Sequence, residues 1–196
     1  MTRTFWVILA LIVVIVGGFA SMLSFGGGGT SRIPWRRPAP VAVPAVVPQG
    51  LLAVPVVGVR RDQIADSWND TRGGGTRGHH GTDIMAPAGA SVVAAAPGRV
   101  EKLFQSNLGG TTLYVRSADR ATTYYYAHLA GYAPGVHEGQ AVRAGELLGY
   151  VGDTGDAGAG NYHLHFGITR MARGQRWWEG ENVNPYPLLA GTGASG

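Results

Sequence analysis

The stretch "TTLYVRSADRATTYYYAHL", residues 111–129, decides the fold. It holds two short runs, 111–117 and 121–127, rich in Thr, Val and Tyr, the residue types that strands favour. Similar runs lie to either side: "LLAVPVVG" (51–58), "ASVVAA" (90–95), "GRVEKLF" (98–104), "ELLGYVG" (146–152) and "HLHFGIT" (163–169). Each is short and most are bounded by Gly or Pro. No stretch of this region carries the period of an amphipathic helix of a dozen residues. The pattern predicts an all-β barrel or sandwich. "GASVVA" (89–94) and "GQAVRA" (139–144) share Gly, Val and Ala at matching offsets, a faint repeat that suggests a doubled sheet.

Further out, composition sets limits. The chain has 196 residues, room for one domain with a core plus a tail or anchor. Its 32 glycines favour turns and short strands over long helices. With no cysteine, disulfides, cysteine-ligated zinc and a lipid-modified N-terminal Cys are excluded. Four of the 16 basic residues, Arg3, Arg32, Arg36 and Arg37, precede residue 50, leaving 12 against the 12 acidic ones. The region from 51 onward is therefore formally neutral. It has no surplus of cations with which to neutralise phosphates, so a nucleic-acid partner is not expected.

Residues 5–23, "FWVILALIVVIVGGFASML", carry no charge. About 20 apolar residues span a bilayer as a helix. A cleaved signal peptide has a shorter apolar core, although "GFAS" (18–21) could be cut. The reading is a membrane anchor or signal segment over 1–25, with the anchor favoured by length. Residues 26–50 are rich in Gly and Pro, a tether that is flexible first and extended later. The domain occupies 51–189, and 190–196 reads as a flexible tail. Either N-terminal reading sends the domain out of the cytoplasm.

The chemistry lies in the histidines. In a strand, residues two apart share a face. His163 and His165 would thus stand side by side, with Leu164 and Phe166 on the opposite face. Zinc takes imidazole nitrogen and carboxylate oxygen, and a catalytic zinc keeps only three protein ligands. "RGHHGTD" (77–83) offers His79 and His80 ahead of Asp83, around a Gly that would let the backbone turn. Alone, this stretch reads as a polar turn sooner than as a metal site. His128 ends the Tyr-rich strand, and His137 sits in a Gly-rich turn as a bystander.

Taken in order, the His-x-x-x-Asp, "YAHL" and "HLHF" strings resemble the LytM/lysostaphin-type zinc endopeptidases that cut peptidoglycan peptides. "GHHGTDIMAPAGASVVAAAPGRV", "YYYAHLAGYAPGVHEGQAVRAGELLGYVGDTGDA" and "NYHLHFGI" carry the likeness, which covers roughly 51–189. The resemblance implies an antiparallel β barrel-sandwich of the duplicated hybrid-motif kind, with a groove over the sheet. It implies one catalytic zinc held by His79, Asp83 and His165, with His80 at a variable position. It places the two unligated histidines at His128 and His163, flanking the water and the developing oxyanion, with His128 favoured as the base. The implied substrate is a peptidoglycan peptide, cross-link or stem, in the periplasm or cell wall. The alternative is a catalytically silent regulator of other wall hydrolases, as in relatives that have lost ligands. One departure stands out. Relatives carry a Tyr shortly before the first metal histidine, and "ADSWNDTRGGGTRG" (65–78) has none. Trp68 has no hydroxyl to offer. Trp177 and Trp178, in a closing segment, read as packing residues rather than groove walls.

Overall fold

The computed structural model describes residues 50–72 and 74–191. The apolar run 5–23 and the tether 26–49 lie outside them, as do residues 192–196 of the tail. Among the described residues, no helix is long and apolar enough to cross a membrane.

Eleven strands follow in order: β1 (Thr71–Arg72), β2 (Arg77–Gly78), β3 (Thr82–Met85), β4 (Ser91–Val93), β5 (Gly98–Ser106), β6 (Gly110–Arg116), β7 (Thr122–Tyr132), β8 (Ala141–Val142), β9 (Leu147–Val151), β10 (His163–Arg170) and β11 (Glu181–Val183). A short helix, α1 (Tyr186–Ala190), closes the described region. β1 and β2 form a small hairpin of their own. The other nine make one sheet, antiparallel at every pairing. Its main path runs β11-β10-β7-β6-β5-β8, with β3 on β10 and with β9 joining β4 to β7.

The sheet buries one continuous core. Ile84, Val92, Leu113, Val115, Tyr126, Leu129, Leu148, Val151, Leu164 and Phe166 are all buried in it. Each such side chain contributes about 1.5–3 kcal/mol by leaving water. The Tyr126 hydroxyl stays satisfied inside the core by accepting the Ala95 N–H at 2.9 Å. α1 adds Leu189 to the core and ends at Gly191, whose left-handed φ of 84° lets its N–H reach Pro187 O.

Six of the seven expected strands are present within a few residues. The exception is 51–58, where only Val56 forms a bridge, to Val92. Pro55 has no N–H to give a ladder, and Gly58 turns the chain away at φ 87°. The segment still runs beside β4, through Ala53 N to Ala95 O and Val57 N to Ser91 O. The faint repeat has a structural counterpart. Gly89 donates to Val151 O while Val151 donates to Ala90 O, and Gly139 donates to Val100 O while Val100 donates to Gln140 O. The same two-bond corner thus leads into β4 and into β8.

Candidate metal centre

β10 lies between β3 and β7, and its register brings the chemistry together. His165 is opposite Asp83 on one side and Ala127 on the other. His163 shares its face, while Leu164 and Phe166 point into the core. A cross-strand pair stands about 4.5–5.5 Å apart at Cβ, so Asp83 and His165 meet without any loop having to fold over them.

His79 leaves β2 and is buried, whereas His80 is exposed and rests edge-on against Trp68. The turn between them differs from the sequence expectation. The left-handed residue is His80, at φ 58°, not Gly81. Gly81 is required for space. A Cβ there would stand 2.5 Å from His165 Cε1 and 2.6 Å from His165 Nε2. The glycine lets the His165 ring lie directly on the backbone that carries Asp83.

Three donor atoms converge. His79 Nε2 is 2.8 Å from Asp83 Oδ1 and 2.9 Å from His165 Nδ1, and His165 Nδ1 is 3.1 Å from Asp83 Oδ1. His79 Nδ1 lies 2.7 Å from Ser67 O, a group that only accepts, so the His79 proton belongs on Nδ1. Nε2 then presents a lone pair to a carboxylate oxygen. Such atoms repel at this distance unless a cation lies among them, and a metal ion is the cation that all three can share. Their spacing suits a single zinc with bonds of about 2.0–2.2 Å. These residues form a group able to hold a metal ion.

Electrostatics agree with ligand duty. Burial works to raise the Asp83 carboxyl, but the His165 and His79 imidazoles beside it outweigh burial and hold it well below the usual carboxylate range. Burial pushes the His165 imidazole below its ordinary value, favouring the neutral ring that metal binding needs. The outer oxygen, Asp83 Oδ2, is 2.5 Å from Arg72 Nη2.

His128 and His163 face this cluster. Their ring centroids are 4.8 Å apart, and His128 is 5.9 Å from the His165 ring. His163 Nε2 comes within 3.7 Å of Asp83 Oδ1. Strict alternation would put His128 in the core with Tyr124 and Tyr126. A β-bulge prevents this. Thr111 pairs with Leu129 but Leu113 pairs with Tyr126, so β7 carries one extra residue. His128 takes a left-handed φ of 60° there, turns to the face of His163 and His165, and Leu129 regains the core. Both rings are fixed alike. His128 Nδ1 donates to Thr154 O and His163 Nδ1 to Asn161 O, each at 2.8 Å. Thr154 is itself stitched in place, its Oγ1 donating to Leu129 O and accepting from Thr111 N. Each imidazole therefore presents Nε2 to the cluster. Burial, partly offset by the bond to Thr154 O, lowers the His128 pKa.

The five residues singled out from sequence, His79, Asp83, His128, His163 and His165, are thus brought together. His137 stays in an exposed turn, bonded to Gly135 O. Trp177 packs on Phe104 and Tyr114, as expected, whereas Trp178 is 55% exposed beneath the Arg176 guanidinium. Sequence reading missed Ser67, Arg72, Thr154 and Tyr125, whose ring meets His165 edge-on at 5.8 Å. Ser67, Thr154 and Asn161 act through backbone carbonyls, which no residue type announces.

The model of Peptidase family M23 matches residues 77–185. The L-Ala–D-Glu endopeptidase of Bacillus subtilis is 38% identical over 129 residues, covering 63% of this chain and 38% of its own length. The peptidoglycan DD-endopeptidase ShyC of Vibrio cholerae is 31% identical, covering 53% of this chain and 23% of its own. The chain thus spans well under half of these curated relatives. Among solved structures, the catalytic domain of lysostaphin from Staphylococcus simulans superposes with a TM-score of 0.50 at 28% identity, over 61% of this chain and 83% of that one. A protein from Ruminococcus gnavus described as a LytM-type glycyl-glycine endopeptidase gives 0.54 at 38% identity, over 65% and 52%.

Proposed function

Because this chain belongs to peptidase family M23, we propose that it is a zinc-dependent endopeptidase that hydrolyses peptide bonds of peptidoglycan outside the cytoplasmic membrane. One observation carries the reading: three donor atoms within 3.1 Å of one another, faced by two histidines with Nε2 turned toward them. His79 would hold the ion through Nε2, Asp83 through Oδ1 and His165 through Nδ1. Bound zinc supplies Lewis acidity and lowers the pKa of a water to about 7.

The chain's own residues then move the protons. His128, neutral because burial lowers its pKa, accepts the proton of the attacking water at Nε2 and passes it to the leaving amine. His163, nearest to Asp83 of the pair, meets the developing oxyanion and donates to it from Nε2 when protonated. The Nδ1 bonds to Thr154 O and Asn161 O keep both rings aimed throughout. The alternative of a silent regulator leaves the converging donors and the two aimed imidazoles without a use.

The setting belongs to the same proposal. Anchoring or export is read from the uncharged apolar run 5–23, which the Gly- and Pro-rich stretch 26–50 links to the domain in sequence. The substrate class is supported by relatives named for peptidoglycan endopeptidases. The test is mass analysis of muropeptides incubated with the zinc-loaded protein. New peptide termini that vanish on chelation are expected; uncut muropeptides and uncut murein would overturn the reading.

A further inference from the structure

We propose that Arg72 is a positioning residue for the metal centre: its guanidinium holds Asp83 by the outer carboxylate oxygen, so that Oδ1 alone faces His79 and His165. The inference rests on the zinc reading above and concerns how that site is kept open.

The two oxygens of Asp83 have different surroundings. Oδ1 meets both ring nitrogens of the cluster, and Oδ2 meets Arg72 Nη2 at 2.5 Å. A carboxylate with no such partner can turn and give both oxygens to one cation, as carboxylates commonly do with hard ions. That would fill the position a catalytic zinc leaves for water. Arg72 blocks the turn by occupying Oδ2.

Its own position is well fixed. Arg72 pairs with Arg77 in the β1–β2 hairpin, and His79 follows β2 directly and donates its N–H to Asp70 O. The hairpin register therefore sets Arg72 relative to His79, while Asp70 Oδ2, 3.9 Å from Arg72 Nη1, draws on the guanidinium from the other side. Arg72 is about one-third exposed, so solvent screening discounts what the pair contributes to folding. Its consequence should appear in metal binding, where partners of ligating groups typically matter 10- to 100-fold.

The experiment uses the full-length chain in detergent, as wild type, Arg72→Met and Arg72→Lys. Zinc affinity is measured by chelator competition, and cobalt(II), as a spectroscopic substitute, by its visible absorption. Melting is followed without metal. Arg72→Met should bind zinc about 10- to 100-fold more weakly and lose cobalt band intensity as Asp83 chelates and the coordination number rises. Arg72→Lys, which keeps a cationic donor, should recover part of both and carries the test if Arg72→Met does not fold. Wild-type affinity and an unchanged cobalt spectrum in the variants would overturn the proposal and leave only a surface ion pair. A wild type that binds neither metal would bring down the zinc reading itself and this inference with it.

Discussion

Replacing Gly81 with Ala should dismantle the metal centre while leaving the fold in place. Gly81 does not sit at positive φ, so alanine brings no backbone strain there. The cost is contact. The new methyl would lie 2.5 Å from His165 Cε1 and 3.0 Å from Phe166 O. Carbon atoms pack at about 3.5–4.0 Å, so the ring must retreat by about 1 Å. Phe166 O belongs to the backbone of β10, which is held on both sides by β3 and β7, and cannot give instead. Overpacking of this kind costs about 1–3 kcal/mol. At roughly 3 °C per kcal/mol for a domain of this size, melting should fall by about 3–9 °C in chelator. Zinc binding should suffer far more. Ligand distances tolerate about 0.2 Å, and a 1 Å displacement takes His165 Nδ1 out of reach. A loss of about 100-fold or more in zinc affinity is expected, on the scale of a 1 Å misplacement at a working site. Gly131→Ala is the control, since a Cβ there meets nothing within 4 Å. A Gly81→Ala protein that melts within about 1 °C of wild type and binds zinc equally well would refute the close-approach argument.

Further outcomes can be measured on the same protein. His79→Ala should abolish zinc binding while His80→Ala retains it, because His79 is buried at the cluster and His80 is exposed; the reverse pattern in a competition assay would reassign the ligands. Metal-free protein should lose stability as pH falls below about 6.5. Burial holds the folded pKa of His128 below its ordinary value of 6.5, so the unfolded chain takes up that proton first, and stability declines between the ordinary and the depressed value. His128→Gln should flatten part of that slope in melts from about pH 7 to pH 5, and equal slopes would count against the assignment. Tyr126→Phe strands the Ala95 N–H inside the core and should cost about 1–3 kcal/mol, read as a fall in melting temperature with activity retained.

How much of this was legible in the sequence depends on the range of the signal. A period of two is local, so the pairing of His163 with His165 against Leu164 and Phe166 could be read from four residues. Strand existence was equally local in β4, β5, β6, β7, β9 and β10, carried by short runs of strand-favouring residues bounded by turn formers. Register is not local. Nothing in "HHGTD" says that Asp83 will face His165 across β3 and β10, and "TDIM" is too short to declare itself a strand. Runs of two or three residues, such as β8 and β11, carry no period at all. The 51–58 run shows the converse error, where apolar content suggested a strand that Pro55 and Gly58 interrupt.

His128 shows most clearly why the site could not be derived from alternation alone. Counting by twos from Tyr124 and Tyr126 buries His128 in the core, on the wrong side of the sheet from His163 and His165. Only the extra residue in β7 reverses it, and that bulge forms where the backbone accepts a left-handed φ at a histidine. Two interactions offset that strain: His128 N–H donates to Gly109 O, and its ring donates to Thr154 O. Gly110 and Gly155 let those two loops approach, since a Cβ on either would fall within 2.5 Å of the other's backbone nitrogen. The cause of the bulge therefore lies in residues 18–19 positions before His128 and 26–27 after it. A strained residue held by distant loops is expected where function, rather than packing, sets the conformation. Here the strain does one identifiable thing: it moves an imidazole from the core face of the sheet to the face that carries Asp83, His163 and His165.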